Sequence, residues 1–119
     1  LVGDILKEIA QQAGAAGFVI YGAIRDVDAY RADDFPCYAL GVCPRGPHKF
    51  GPGKINVDIA IGGTVVRPGD IVLGDSDGVV FIPQEQALEI AQKVVQHEAR
   101  EAEIIRSIRA GTYTGAYRK

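Results

Sequence analysis

Apolar residues recur at helical spacing near the start of the chain, at Ile5, Leu6, Ile9, Ala10 and Ala13, before Gly14 and Gly17 close the pattern. This spacing predicts a helix beginning at Asp4. Gly17 to Ile20 is continuously apolar and reads as a buried strand, after which a glycine turn at Gly22 delivers Arg25 and Asp26 side by side. Val27 to Asp34 is polar and short, with Asp28 placed to cap a turn, and reads as a helical turn and loop leading into Pro36. Cys37 to Val42 reads as a short apolar strand. Pro44 to Lys54 holds three prolines and three glycines, too many breakers for regular structure, so it is expected to be a long loop of the kind that serves as a lid or interface arm.

Ile55, Val57, Ile59 and Ile61 alternate with other residues, the period of a strand with one buried face, which turns Asp58 away from that face. Gly62-Gly63 predicts a hairpin into Thr64 to Val66. Arg67-Pro68-Gly69-Asp70 carries proline and glycine in the order a type II turn requires. Strands Ile71 to Leu73 and Val79 to Ile82 follow, joined by a turn at Asp77-Gly78. From Gln84 to about Ala110 the pattern is one helix, with Ala87, Ile90, Ala91, Val94, Val95, Ala102, Ile105 and Ile108 on its apolar side, Pro83 before it and Gly111 as its stop. Such a helix is about 40 Å long. That is more than a domain of this size can cover, so part of it is expected to pack on another subunit.

Composition narrows the class. The chain has 119 residues, 47% hydrophobic and 24% charged, which suits one domain. Fifteen glycines clustered at turns between apolar runs favour a strand-rich α/β domain. A net charge of −2 offers no basic field, so nucleic acid is not expected as a direct partner. Cys37 and Cys43 match neither a zinc nor a redox spacing and read as reduced thiols. With no signal peptide and no long apolar span in the residues given, the expected compartment is the cytoplasm and no membrane association is expected.

The chemistry concentrates at Arg25 and Asp26. Ligands of α/β sheets are commonly bound beyond the carboxyl ends of strands, where this pair falls. An arginine there can grip a carboxylate or an enolate, and an aspartate can hold a hard divalent metal. If the start of the first helix closes onto them, Asp4 joins the site and the backbone N–H groups of Ile5 and Leu6 become an anion cradle. Other candidates read as structural. Asp28, Asp33 and Asp34 are solvated loop charges, His48 is a solvated loop residue, and Gly51 to Lys54 lacks the spacing and hydroxyl of a phosphate loop. Asp75 and Asp77 lack the further ligands of a calcium loop and read as turn residues. His97 lies in the same polar stretch as Glu98 and Glu101, which flank the apolar stripe of the long helix. The tail from Tyr113 to Lys119 reads as an oligomer arm or a frayed end.

Asp4 is followed after twenty residues by Arg25-Asp26, then by Gly-Gly-Thr-Val-Val-Arg-Pro-Gly-Asp at Gly62 to Asp70 and Gly-Asp-Ser-Asp-Gly-Val-Val at Gly74 to Val80. These segments resemble, over essentially the whole chain, the family of 4-hydroxy-4-methyl-2-oxoglutarate (and 4-carboxy-4-hydroxy-2-oxoadipate) aldolases and RraA regulators of ribonuclease E activity. The resemblance implies a layered α/β fold of the swivelling β/β/α type, with residues 1–119 forming one domain that lacks the family's N-terminal segment. It implies a homotrimer or hexamer with the site at a subunit boundary, to which a neighbour contributes Glu98 or Glu101. It also implies a divalent-metal-dependent aldolase that releases pyruvate from a 4-hydroxy-2-oxo acid, with oxaloacetate decarboxylation as a related activity. Asp26 would then hold Mg²⁺ or Mn²⁺, Arg25 stabilise the enolate, the N–H groups of Ile5 and Leu6 bind the substrate carboxylate, and Asp4 position or deprotonate a metal-bound water that accepts the C4 hydroxyl proton. The motif offers no lysine for an imine. The alternative within the resemblance is a non-catalytic regulator that binds and inhibits a ribonuclease, for which the carboxylates Asp4 and Asp26 have no use. A methyltransferase reading finds no glycine-rich nucleoside loop.

Overall fold

The computed structural model describes residues 2–48 and 50–116. The chain divides into two compact units, residues 1–81 and residues 82–119.

The first unit opens with α1 (Asp4–Gln12), which follows Gly3 and leads to a left-handed Gly14. Strand β1 (Phe18–Ile24), helix α2 (Val27–Arg31) and strand β2 (Cys37–Val42) come next, and β1 and β2 pair in parallel. The stretch from Arg25 to Pro36 is long enough to carry the crossover that a parallel pair demands. Its far end is fixed where the Phe18 N–H donates to the Pro36 carbonyl at 2.9 Å. A side chain at Gly17 would strike Pro36, with its Cβ 2.7 Å from that carbonyl oxygen, so the close approach depends on glycine. The expected turn at Gly22 is absent. The strand instead continues to Ile24, with its register shifting between Ile20 and Ala23, as a glycine inside a strand often permits.

The core of this unit is small. Ile24, Tyr30 and Phe35 are buried together, with Ala10, Phe18, Ile20, Val27 and Cys37 packed around them. The rings of Phe18 and Phe35 meet edge to face, 5.1 Å between centroids. Helix α1 turns its Ala10 side to this cluster, so Ile5, Leu6 and Ile9, which predicted the helix with it, lie outside it. Ile5 is 71% exposed, as Leu6 and Ile9 are largely, whereas Lys7 is only 2% exposed.

Beyond β2 the chain is irregular to Asp58, apart from Lys49, which lies outside the described residues. The strand expected from Ile55 shrinks to β3 (Ile59–Ile61), because Asn56 takes a left-handed φ of 54° that extended chain cannot accommodate. The Gly62-Gly63 hairpin forms with both glycines at positive φ and pairs β3 antiparallel with β4 (Thr64–Val66). The Pro68-Gly69 turn also forms, with Gly69 at φ 97° and the Asp70 N–H donating to the Arg67 carbonyl at 3.0 Å. Strands β5 (Ile71–Gly74) and β6 (Val79–Ile82) make a third two-stranded sheet. Asp75 organises their turn, its carboxylate accepting from the N–H groups of Asp77 at 2.8 Å and Gly78 at 3.3 Å.

The second unit holds a 3₁₀ turn (Gln84–Gln86) and α3 (Ala87–Arg109), so the expected long helix begins as a tighter turn and ends at the left-handed Gly111. No residue of α3 is buried. In the tail, Tyr117, Arg118 and Lys119 lie outside the described residues.

Candidate functional site

Four hydrogen bonds tie three separate segments together at the carboxyl end of the β1–β2 pair. The Arg25 N–H donates to the Val2 carbonyl at 3.0 Å, and the Cys43 N–H to the Ile24 carbonyl at 2.8 Å. The Tyr30 hydroxyl donates to the Gly3 carbonyl at 3.3 Å, and the Asp4 N–H to Asp26 Oδ2 at 3.2 Å. The start of α1 is thereby held against the end of β1, and the spacing of Asp4 from Arg25-Asp26 becomes contact in space. The loop after β2 joins them, since a side chain at Gly46 would lie 3.6 Å from a terminal nitrogen of Arg25.

Asp26 reaches this position through an uncommon backbone. Its φ of 59° and ψ of 44° are left-handed, a conformation that L-residues other than glycine enter at a cost of about 1 kcal/mol. Such strain gathers at functional sites, where the surrounding structure holds it in place. Here it sets Oδ2 of Asp26 3.4 Å from Arg25 Nε. The pair is an ion pair short of hydrogen-bond geometry, and among the described residues the buried Arg25 Nε makes no hydrogen bond. Both side chains remain open to solvent, Arg25 at 41% and Asp26 at 40% exposure.

Asp4 and the first turn of α1 differ from the expected cradle in one respect. The Ile5 N–H is not free, because it donates to Asp4 Oδ1 at 2.7 Å. The Lys7 N–H closes the first helical bond to the Gly3 carbonyl at 3.1 Å. Leu6 therefore keeps the one N–H of the first turn that has no partner among the described residues. Asp4 Oδ2 and Asp26 Oδ1 likewise accept no hydrogen bond there.

Two supporting residues escaped the sequence reading. Gly3 lies so close to the pair that an added Cβ would stand 2.9 Å from Arg25 Nε and closer still to Asp26 Oδ2. Lys7 is buried and pairs with Asp33 in the loop before β2, and with Glu8 at 3.1 Å. The hydrogen bond to Asp33 holds the Lys7 pKa above its usual value against the opposing effect of burial. The same bond, with a second from the Phe35 N–H, holds the Asp33 carboxyl below its usual value. A signal existed: Lys7 and Ala10 are three residues apart on one face of α1, and Ala10 packs on the core.

The donor set suits one kind of metal. Among the described residues no group of three or more His, Cys, Asp or Glu side chains converges, which leaves the pair Asp4 and Asp26. Zinc and calcium ask for more protein ligands, whereas Mg²⁺ keeps several waters and binds through one or two carboxylates. The free oxygen of Asp26 fits that requirement.

Residues 1–81 match the family described as Aldolase/RraA, RraA-like. The chain belongs to this family. Among Aldolase/RraA relatives, a Halalkalibacterium halodurans protein carrying the provisional name 4-hydroxy-4-methyl-2-oxoglutarate aldolase is 42% identical over 99 residues, which cover 83% of this chain and 47% of that one. The chain thus spans about half the length of the curated relatives it matches. In structure, an uncharacterized protein from Pseudomonas syringae superposes with a TM-score of 0.82 at 26% identity, over 95% of this chain and 54% of that one. Streptomyces coelicolor RraAS2, described as an unusual member of the RNase ES inhibitor RraA protein family, gives a TM-score of 0.76 at 34% identity, over 85% and 52%. The fold is therefore the RraA-like α/β fold with a long C-terminal helix. Among the described residues no helix is long and apolar enough to cross a membrane.

Proposed function

We propose that this chain carries the site of a divalent-metal-dependent aldolase that cleaves a 4-hydroxy-2-oxo acid to pyruvate. The observation that carries the reading is Asp26: a left-handed aspartate with one carboxylate oxygen fixed by the Asp4 N–H and the other unspent, beside an arginine with an unspent donor. The names of the relatives support the same class.

A bound Mg²⁺ or Mn²⁺ would supply a Lewis acid that draws electron density from the 2-oxo group. Asp26 would hold that ion through its free oxygen. The Leu6 N–H and the positive end of α1 hold the substrate carboxylate. Asp4, with Oδ1 fixed by the Ile5 N–H, takes the C4 hydroxyl proton on Oδ2, directly or through one water. The C3–C4 bond then breaks: C4 becomes a carbonyl, and the electron pair passes to C3 as the enolate of pyruvate. Arg25 offsets the charge that develops on the enolate oxygen. Protonation at C3, by the proton Asp4 accepted, completes pyruvate.

The test is pyruvate release from 4-hydroxy-4-methyl-2-oxoglutarate and from oxaloacetate, read through lactate dehydrogenase, with Mg²⁺ and then with EDTA. Metal-dependent release that Arg25→Ala abolishes, with the circular dichroism spectrum unchanged, is the expected result. Wild-type turnover by Arg25→Ala would place the chemistry elsewhere. Absence of pyruvate under every condition would favour the regulator reading, which the likeness to RraAS2 supports.

A further inference from the structure

The peptide bond between Gly3 and Asp4 is held from both sides. Its carbonyl accepts from the Tyr30 hydroxyl at 3.3 Å and from the Lys7 N–H at 3.1 Å, and its N–H donates to Asp26 Oδ2 at 3.2 Å. A trans peptide is planar, with C=O and N–H directed to opposite sides, so whatever fixes the carbonyl also aims the N–H. The Lys7 N–H belongs to α1 itself and moves with it. The Tyr30 hydroxyl comes from α2, outside that helix, and supplies a second and independent restraint.

Tyr30 suits this task because of where its ring sits. The residue is 8% exposed and packed with Ile24 and Phe35, so core packing sets the position of the hydroxyl. Burial pushes the Tyr30 phenol up from its usual value, and the group therefore stays protonated and remains a donor at neutral pH. Asp26 is tied to the same side chain through the main chain, because α2 starts directly after Asp26 and the Ala29 N–H donates to the Asp26 carbonyl at 3.0 Å. The contacts close a ring. It runs from Asp26 through one turn of α2 to Tyr30, across the hydroxyl to Gly3, and through the Asp4 N–H back to the Asp26 carboxylate. We propose that Tyr30 is a positioning residue: its hydroxyl aims the Asp4 N–H at Asp26 Oδ2 and so holds the Asp26 carboxylate in the orientation in which its other oxygen takes a divalent cation. The cation part of this inference rests on the function proposed above, and the aiming of the peptide does not.

Tyr30→Phe keeps the ring in the core and leaves the Gly3 carbonyl its bond from the Lys7 N–H, so it creates neither a cavity nor an orphaned acceptor. Loss of that one restraint is expected to speed exchange of the Asp4 amide and to weaken binding of Mn²⁺, read from the paramagnetic resonance signal of the free ion, by about fivefold each. Phe35→Leu thins the same core cluster without touching the hydroxyl. It is expected to lower the urea midpoint and to leave both readouts at wild-type values, that amide exchanging by local opening. Unchanged Asp4 exchange in Tyr30→Phe, or a Phe35→Leu protein that shifts both readouts as far as Tyr30→Phe does, would overturn the positioning role. Faster exchange with wild-type Mn²⁺ affinity would overturn the claim on the carboxylate. A wild-type chain that binds no Mn²⁺ would overturn the cation part together with the proposed function, and the Asp4 exchange rate would then decide the positioning role by itself.

Discussion

Gly3→Ala is a one-carbon perturbation aimed at the site from behind. Gly3 has φ −126° and ψ −169°, extended backbone that alanine adopts freely, so the substitution brings no conformational strain of its own. Its effect is steric. The new Cβ would stand 2.9 Å from Arg25 Nε and 3.2 Å from Arg25 Cγ, against an ordinary contact of 3.4 Å or more, and would overlap Asp26 Oδ2. Gly3 itself is held by the Tyr30 hydroxyl and by the Lys7 N–H, so the two side chains retreat rather than the backbone. A retreat of about an ångström in groups that must meet a reacting atom lowers rate by about 10²-fold. That corresponds to about 2.7 kcal/mol of lost transition-state stabilisation. Overpacking at a half-open position is expected to cost about 1 kcal/mol of stability, partly offset by the lower entropy of the unfolded chain. Steady-state pyruvate assays with parallel thermal melts measure both. A Gly3→Ala protein that turns over at the wild-type rate would refute the claim that the Arg25–Asp26 geometry sets the chemistry.

Asp26→Ala and Asp26→Gly are both expected to abolish metal-dependent turnover, but Asp26→Gly should be the more stable by about 1 kcal/mol in urea unfolding, because only glycine enters the left-handed region without cost; equal stabilities would argue against the strain. The Lys7–Asp33 pair makes stability depend on pH. The Asp33 pKa is depressed below 3.8, so its contribution is present above that value and is lost as pH falls through the lower folded-state value. The Lys7 pKa is raised above 10.5, so its contribution is complete below that value and is lost as pH climbs through the higher one. Asp33→Asn should therefore flatten the acid limb of the urea-midpoint profile and lower its neutral plateau, and an unchanged acid limb would contradict the pairing. In hydrogen exchange, Asp26→Ala should speed exchange of the Asp4 amide, which loses its acceptor, while the Arg25 amide, bonded to the Val2 carbonyl, keeps its protection.

What the sequence made legible was local. The Gly62-Gly63 and Pro68-Gly69 turns form as expected because the residue that needs positive φ is itself the signal. Strand β2 matches its apolar run at both ends. Where the signal depended on distant neighbours, it failed in understandable ways. Alternation from Ile55 was real, but a single left-handed Asn56 broke the extended chain, and asparagine tolerates that conformation without announcing it. The apolar stripe of α1 indicated a helix, yet its Ile5, Leu6 and Ile9 point away from the core and Ala10 packs there beside the buried Lys7. At the site, Asp4, Arg25 and Asp26 were read as a group from their spacing, and the structure brings them together. The occupied Ile5 N–H was not foreseeable, since it depends on the rotamer of Asp4.

The frame of the site is largely main chain. Arg25 N–H to Val2 carbonyl, Cys43 N–H to Ile24 carbonyl and Lys7 N–H to Gly3 carbonyl all survive replacement of the side chains they position. The Asp4 N–H to Asp26 and Ile5 N–H to Asp4 contacts use carboxylates that the proposed chemistry also requires. The arrangement therefore separates scaffold from reagent. The parallel strands and the start of α1 hold the positions, and the left-handed turn at Asp26 brings one carboxylate oxygen to the Asp4 N–H. A surface ion pair with no further role would have no reason to keep a strained backbone, which lowers stability. A strained turn in a unit with three residues in its buried core cluster favours a site kept for binding.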